Sequence, residues 1–144
     1  MSTRANIVVK GGYNKLYFYR HSDGYPEGAM PLLEKFMQLI KDGVIRNDVS
    51  QASGWLIIFG AEEYKTHQVP EEDVLDYKIT KEATEKWKDK IPSIPNKSCG
   101  YHSTWKVGSI EPTDSIHGDV EYVYVLDLEK KTIETYEACE YDDK

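Results

Sequence analysis

The spacing of apolar residues changes within one short connection. In KLYFY, residues 15–19, Leu16 and Phe18 alternate with Lys15, Tyr17 and Tyr19, the period of a strand, and Leu16 and Phe18 are expected in the core. From about residue 29 to residue 42, Leu33, Phe36, Met37 and Ile40 recur every three or four positions, with Glu34, Lys35, Gln38 and Lys41 on the opposite side, the pattern of an amphipathic helix. Pro31 fits its first turn and Gly43 the left-handed position after its last. Only YRHSDGYPEG, residues 19–28, remains to steer the chain from strand to helix.

The flanking segments extend this pattern. ANIVVK, residues 5–10, is a second β-branched run, and GGYN between it and KLYFY suits a hairpin, so the first two strands are expected to pair antiparallel. NDVSQASGWLIIFGAEEY is ambiguous: WLIIF alone reads as a buried strand. Asp48 followed by Gln51 resembles a helix start, however, and Val49, Ala52, Leu56 and Phe59 hold helical spacing, which favours a buried helix. Residues 65–100 are broken by Pro70, Pro92 and Pro95 and read as a loop-rich excursion, with a short helix near residues 80–90. Strands are expected again at about residues 103–110, 120–128 and 132–137, the last two joined by the turn LEKKT. Val120, Tyr122, Tyr124, Leu126 and Leu128 line one face of the middle strand and Val123 and Val125 the other, so it is expected at the centre, covered on both sides. The whole reads as one α+β domain over residues 1–144: a mainly antiparallel sheet of about five strands in the order ββ-αα-βββ, with helices packed on one face.

Composition narrows the function. A formal charge of -7 argues against tracking an extended nucleic acid, which needs many cations. A compact anion needs only two or three cationic donors, and the chain holds Arg4, Arg20 and Arg46. No apolar run is long enough to cross a bilayer and the N-terminus lacks a signal-peptide pattern, so no membrane is expected as partner and the setting is expected to be cytoplasmic. Cys99 and Cys139 match no metal spacing and are read as reduced thiols. No cofactor motif is present, and the tail CEYDDK and the run EEDVLD read as solvated acidic faces.

The turn itself carries more chemistry than a connection requires. Asp23, Gly24 and Pro26 are turn formers, whereas Tyr19, Arg20, His21 and Tyr25 are not needed for turning. A helix N-terminus follows, with unpaired N–H groups and a partial positive charge. Arg20 supplies a planar fork for phosphate, His21 a titratable donor, and Tyr17, Tyr19 or Tyr25 a stacking face. The expected ligand-binding set is Tyr19, Arg20, His21, Asp23, Gly24 and Tyr25, completed by Arg4 or Arg46, and the expected ligand is a small anionic nucleotide. The plainer alternative is that Arg20 pairs with Asp23 or Glu27 and that His21 is a satisfied turn residue. His102-Ser103-Thr104 matches the His-x-Thr element of two-histidine phosphoesterases, but His21-Ser22-Asp23 lacks the hydroxyl two positions on. His67 and His117 read as surface histidines without metal partners.

At YRHSDGYPEG, followed by PLLEKF, the chain resembles a loose group of small bacteriophage and prophage proteins that open with a strand pair and carry an Arg/Cys-His-x-Asp-Gly-Tyr-Pro turn. The likeness covers residues 3–45, with a fainter echo in EYVYVLDL. It implies a viral or mobile-element setting in a bacterial host and, by analogy with small viral inhibitors, an anti-defence protein acting as an oligomeric sponge for a nucleotide immune signal. The alternatives are a protein-protein inhibitor of a host defence enzyme and a phosphodiester hydrolase using His21 or His102. Binding is favoured over catalysis.

Overall fold

The computed structural model describes residues 3–64 and 108–143. They form β1 (Ala5–Gly11), β2 (Asn14–Arg20), α1 (Pro26–Lys41), α2 (Val49–Tyr64), β3 (Ile110–Thr113), β4 (Tyr122–Asp127) and β5 (Thr132–Glu137), then a single 3-10 turn at Ala138–Glu140. The fold is α+β, with the elements in the expected chain order. The strands build one five-stranded sheet in the spatial order β3-β2-β1-β4-β5.

The sheet is mixed, which corrects the antiparallel expectation at one pairing. β1 pairs antiparallel with β2, but β4 lies parallel to β1 on its other edge, from Ala5 opposite Tyr122 to Lys10 opposite Asp127. β3 is antiparallel to β2 and so runs in the direction of β1 and β4. To reach the free edge of β1 after β3, the chain must cross β2 and β1 and start again from the same end. A crossover of that kind leaves the incoming strand parallel.

Alternation then sorts the side chains. Ala5, Ile7 and Val9 of β1, Phe18 of β2, and Tyr124 and Leu126 of β4 share one core with Leu33, Phe36, Met37 and Ile40 of α1 and Val49, Ala52 and Leu56 of α2. Both helices therefore cover the same face. The opposite face holds Val8, Tyr19, Val123 and Val125, with Ile116, Tyr136, Ala138 and Tyr141 packed on them. Among the described residues, irregular chain covers that side: the β3–β4 crossover and the C-terminal tail. Asn6, fully buried, pins the crossover by donating from Nδ2 to the carbonyls of Phe18 (2.9 Å) and Ser115 (3.5 Å) and accepting from the His117 N–H (2.8 Å).

Several boundaries differ from the sequence expectation. α1 opens at Pro26, which takes the first helical position, so Pro31 falls inside the helix rather than in its first turn. Pro31 lies on the exposed side, where water can satisfy the carbonyl it cannot bond. Gly43 has the expected left-handed φ of 76°. WLIIF is helical: Asp48 accepts from the Gln51 N–H at 3.1 Å, and Ala52, Leu56 and Gly60 form the inward stripe. Leu16 is on the core face but 41% exposed, because β3 stops at Thr113 opposite Tyr17 and leaves it without an outer neighbour. Val120 joins the opposite face from the one expected, since it precedes the strand. β3 starts at Ile110, where a strand was expected to end, and contains Pro112. An edge strand tolerates proline, since its outer N–H positions have no ladder partner to lose. The excursion at 65–100, the helix near 80–90, Cys99, His67, His102 and EEDVLD lie outside the described residues. Cys139 is exposed and free.

Where the described chain leaves and re-enters, the backbones nearly touch. The Ser109 N–H donates to the Gly60 carbonyl at 3.1 Å. A Cβ on Gly108 would lie 2.3 Å from the Gly60 carbonyl carbon, and one on Gly60 would lie 3.0 Å from the Ile110 nitrogen. Only about one helical turn separates this contact from the end of α2. Replacing residues 65–107 by a flexible linker of about four residues is therefore expected to leave the sheet and both helices folded, because loop closure costs little at so short a span. A cooperative urea transition with wild-type far-UV circular dichroism per residue over the retained elements checks this; an unfolded variant refutes it.

Candidate ligand site on the sheet face opposite the helices

Arg20 does not share a face with its sequence neighbours. It ends β2 on the helix side, 2% exposed, and all five of its N–H donors have acceptors. Nε donates to the Asp23 carbonyl at 3.2 Å. Nη1 donates to Glu63 Oε1 at 2.7 Å and to Ser109 Oγ at 3.3 Å. Nη2 donates to Glu63 Oε2 at 2.9 Å and to the Gly28 carbonyl at 3.4 Å. The Ser109 hydroxyl also donates to Glu63 Oε1. One guanidinium thus ties the end of β2, the start of α1, the end of α2 and the residue preceding β3.

The rest of the turn is built around that knot. Asp23 takes a left-handed φ of 53°, and its carbonyl rather than its carboxylate meets Arg20. Gly24 donates to the Thr3 carbonyl at 2.9 Å and accepts from the buried Tyr124 hydroxyl at 2.6 Å, whose pKa burial pushes well up. A Cβ on Gly24 would lie 2.9 Å from Ala5 Cβ, and one on Gly28 would lie 2.6 Å from the Asp23 carbonyl oxygen, so both sites require glycine. Tyr25 is the N-cap of α1 without a side-chain cap bond, and is 40% exposed. At this helix start Pro26 removes one N–H and Glu27 places a carboxylate where an anion would sit. The Arg20 charge of the handover is satisfied within the chain. Arg46 is exposed in the connection between the helices, next to Asn47 and Asp48, which line a shallow cleft of about 210 Å³ with Gly11 and Gly12 of the hairpin turn. It is thus at the far end of the strands from Arg20.

On the other face the structure gathers a different subset. Tyr19, 6% exposed, lies between two imidazoles: His117 stacks on its ring at 4.3 Å and His21 meets it edge-on at 4.9 Å. The Tyr19 hydroxyl donates to Asp119 Oδ2 at 3.0 Å; burial first, and this bond second, push its pKa up to about 12. His21 Nε2 is 3.2 Å from Glu111 Oε1, and His117 Nε2 is 2.7 Å from Thr113 Oγ1. Arg4 approaches Asp119 through Nε at 3.6 Å and is 46% exposed; among the described residues no partner meets its Nη groups.

Of the expected ligand set, then, Arg4, Tyr19 and His21 come together, Arg20, Asp23 and Gly24 form the structural knot, and Tyr25 and Arg46 lie apart. His117, read as a surface histidine, is part of the cluster. Its signal was not in local sequence: the crossover carries it over Tyr19 because Asn6 holds its backbone. Glu111, Thr113 and Asp119 were likewise invisible until β3 was placed beside β2.

No protein-family model, curated protein or solved structure matches the chain. Among the described residues no helix is long and apolar enough to cross a membrane, and no group of His, Cys, Asp and Glu is arranged to hold a metal.

Removing the Arg20 fork strands several polar groups at once. Arg20→Met is expected to lower stability by about 3 kcal/mol, at the lower end for a broken buried pair because Glu63 keeps some hydration. Arg20→Lys should recover less than half of that loss, since an ammonium cannot reproduce the planar fork. Arg4→Ala should change stability by no more than about 0.5 kcal/mol. Urea midpoints of the three variants check this ordering, and equal losses for Arg4 and Arg20 would overturn it.

Proposed function

We propose that the protein binds and sequesters a small phosphorylated nucleotide, as a viral or prophage anti-defence protein, at the edge of the sheet face opposite the two helices. The observation that carries this reading is the exposed Arg4 guanidinium, whose Nη groups have no partner among the described residues, beside the His21–Tyr19–His117 ring cluster. A guanidinium fork suits a phosphate, and an imidazole adds a donor to the same anion. The half-buried His117 ring, rather than the buried Tyr19 beneath it, is the one that suits a base. Asp119 and Glu111, each about half exposed, hold Arg4 and His21 in place between ligands. Arg20 has the role of a scaffold residue in this reading, supporting the strand that carries Tyr19.

Calorimetry with a panel of cyclic and linear nucleotides tests it. At least one is expected to bind, with Arg4→Ala and His117→Ala each weakening it about tenfold or more, the scale of one charge-assisted hydrogen bond. Absence of heat with every member of the panel would end this reading. Unchanged nucleotide recovered after binding distinguishes sequestration from hydrolysis by the same pocket.

A further inference from the structure

Beside the ring cluster this face of the sheet continues as an apolar strip. Tyr17, Val8 and Val125 stand in one cross-strand row, next to the row of Tyr19, Asn6 and Val123. The tail that follows β5 lies on this strip. The Ala138 N–H donates to the Glu121 carbonyl at 2.9 Å, and the Tyr141 ring packs 5.2 Å from that of Tyr136. No residue of the 3-10 turn is buried. Beyond Tyr141, Asp143 accepts from the Tyr17 hydroxyl at 2.6 Å, from Lys15 Nζ at 3.0 Å and from the Tyr141 hydroxyl at 3.1 Å. The acidic residues of the tail, Glu140, Asp142 and Asp143, are exposed as the solvated-face reading expects, and Asp143 in addition fastens the tail to β2.

We propose that this strip is a docking groove for a short acidic peptide with a tyrosine two residues before an aspartate, that residues 138–143 are its resident occupant in cis, and that the same tail of a second copy fits it in trans. Charge complementarity selects the occupant. On β2, Lys15 and Tyr17 present an ammonium and a hydroxyl at one end of the groove, where a carboxylate satisfies both. The apolar rows take the small and aromatic side chains that precede it. Among the described residues, the other titratable groups near the carboxylate include Asp142 and Tyr141 of the tail, and Tyr136, which bonds Glu134, on β5. The Lys15 and Asp143 side chains are 26% and 29% exposed, so water can reach and release the fastening. A tail in cis has an effective concentration in the millimolar range and masks the groove until its own aspartate is removed.

Burial alone would raise the Asp143 pKa, but the bonds from Tyr17, Lys15 and Tyr141 outweigh it and hold the carboxyl below its ordinary 3.8. The same bond from Tyr17, followed by burial, pushes that hydroxyl up to about 12. A carboxyl lowered in the folded state fastens the tail above its ordinary value and releases it only as the pH falls through the lowered one. The tail is therefore docked at neutral pH, and acid is a handle for opening it.

The test uses the full chain with Asp143→Asn, followed by the methyl resonances of Val8, Val123 and Val125. In this variant the resonances are expected at neutral pH to move toward their positions in acid-treated wild type, while those of Leu33 and Leu56 in the helix-side core stay fixed. Adding the peptide EACEYDDK under reducing conditions should return them toward wild type, and the peptide with its second aspartate changed to asparagine should need about tenfold more. Unshifted resonances in Asp143→Asn, or equal responses to the two peptides, would overturn the proposal. Neither outcome bears on nucleotide binding, which calorimetry reads separately.

Discussion

The fold turns on the placement of one guanidinium. Arg20 is long enough to reach Glu63 across the helix layer, and its fork matches the carboxylate in two parallel bonds. Its remaining donors take carbonyls at the start of α1 and the hydroxyl just before β3. A charge this deeply buried is tolerated only with a full set of partners. Three segments distant in sequence, the β2–α1 turn, the end of α2 and the residue before β3, must therefore arrive together, which fixes where α2 ends and where the chain comes back to the sheet.

Placing those segments also dictates the second face. With both helices and the Arg20 knot on one side, the parallel return to β4 has only the other side to cross. A crossover without a helix presents unpaired backbone, and the fully buried Asn6 answers by satisfying one N–H and one carbonyl of it. The polar side chains of the crossover, His117 and Asp119, are thereby held over Tyr19, and the tail closes what remains of the strip. The site-like cluster is in this sense a consequence of how the sheet closes its uncovered face.

Element types were readable wherever the apolar period ran for several residues, as in α1, β1 and β4, because burial of one face decides those patterns. The parallel pairing was not readable, since it follows from a spatial order that no local period encodes. β3 meets the strand expected at about 103–110 only at Ile110, and its Pro112 is harmless because an edge position has no outer ladder bond to lose. The candidate site was half visible. Tyr19, Arg20 and His21 were pooled as neighbours in sequence, although the alternation that sorted Leu16 and Phe18 from Tyr17 also puts Arg20 opposite Tyr19 and His21. Carried two residues further, that rule alone separates the scaffold arginine from the ring cluster.

The contrast between Arg4 and Arg20 shows what distinguishes a structural from an available cation. Both stand at the same level of the sheet, since Ala5 pairs with Arg20. Arg20 faces a helix that brings a carboxylate to its fork, so every donor is engaged and the group is out of water. Arg4 precedes β1 and faces a carboxylate on a surface loop that meets only its Nε. Its cost of desolvation has not been met by folding, so an incoming anion finds donors that need not be pulled from internal partners. Affinity for a small anion depends on that difference: a cation whose bonds are complete offers charge without geometry, whereas an open fork beside aromatic rings offers both.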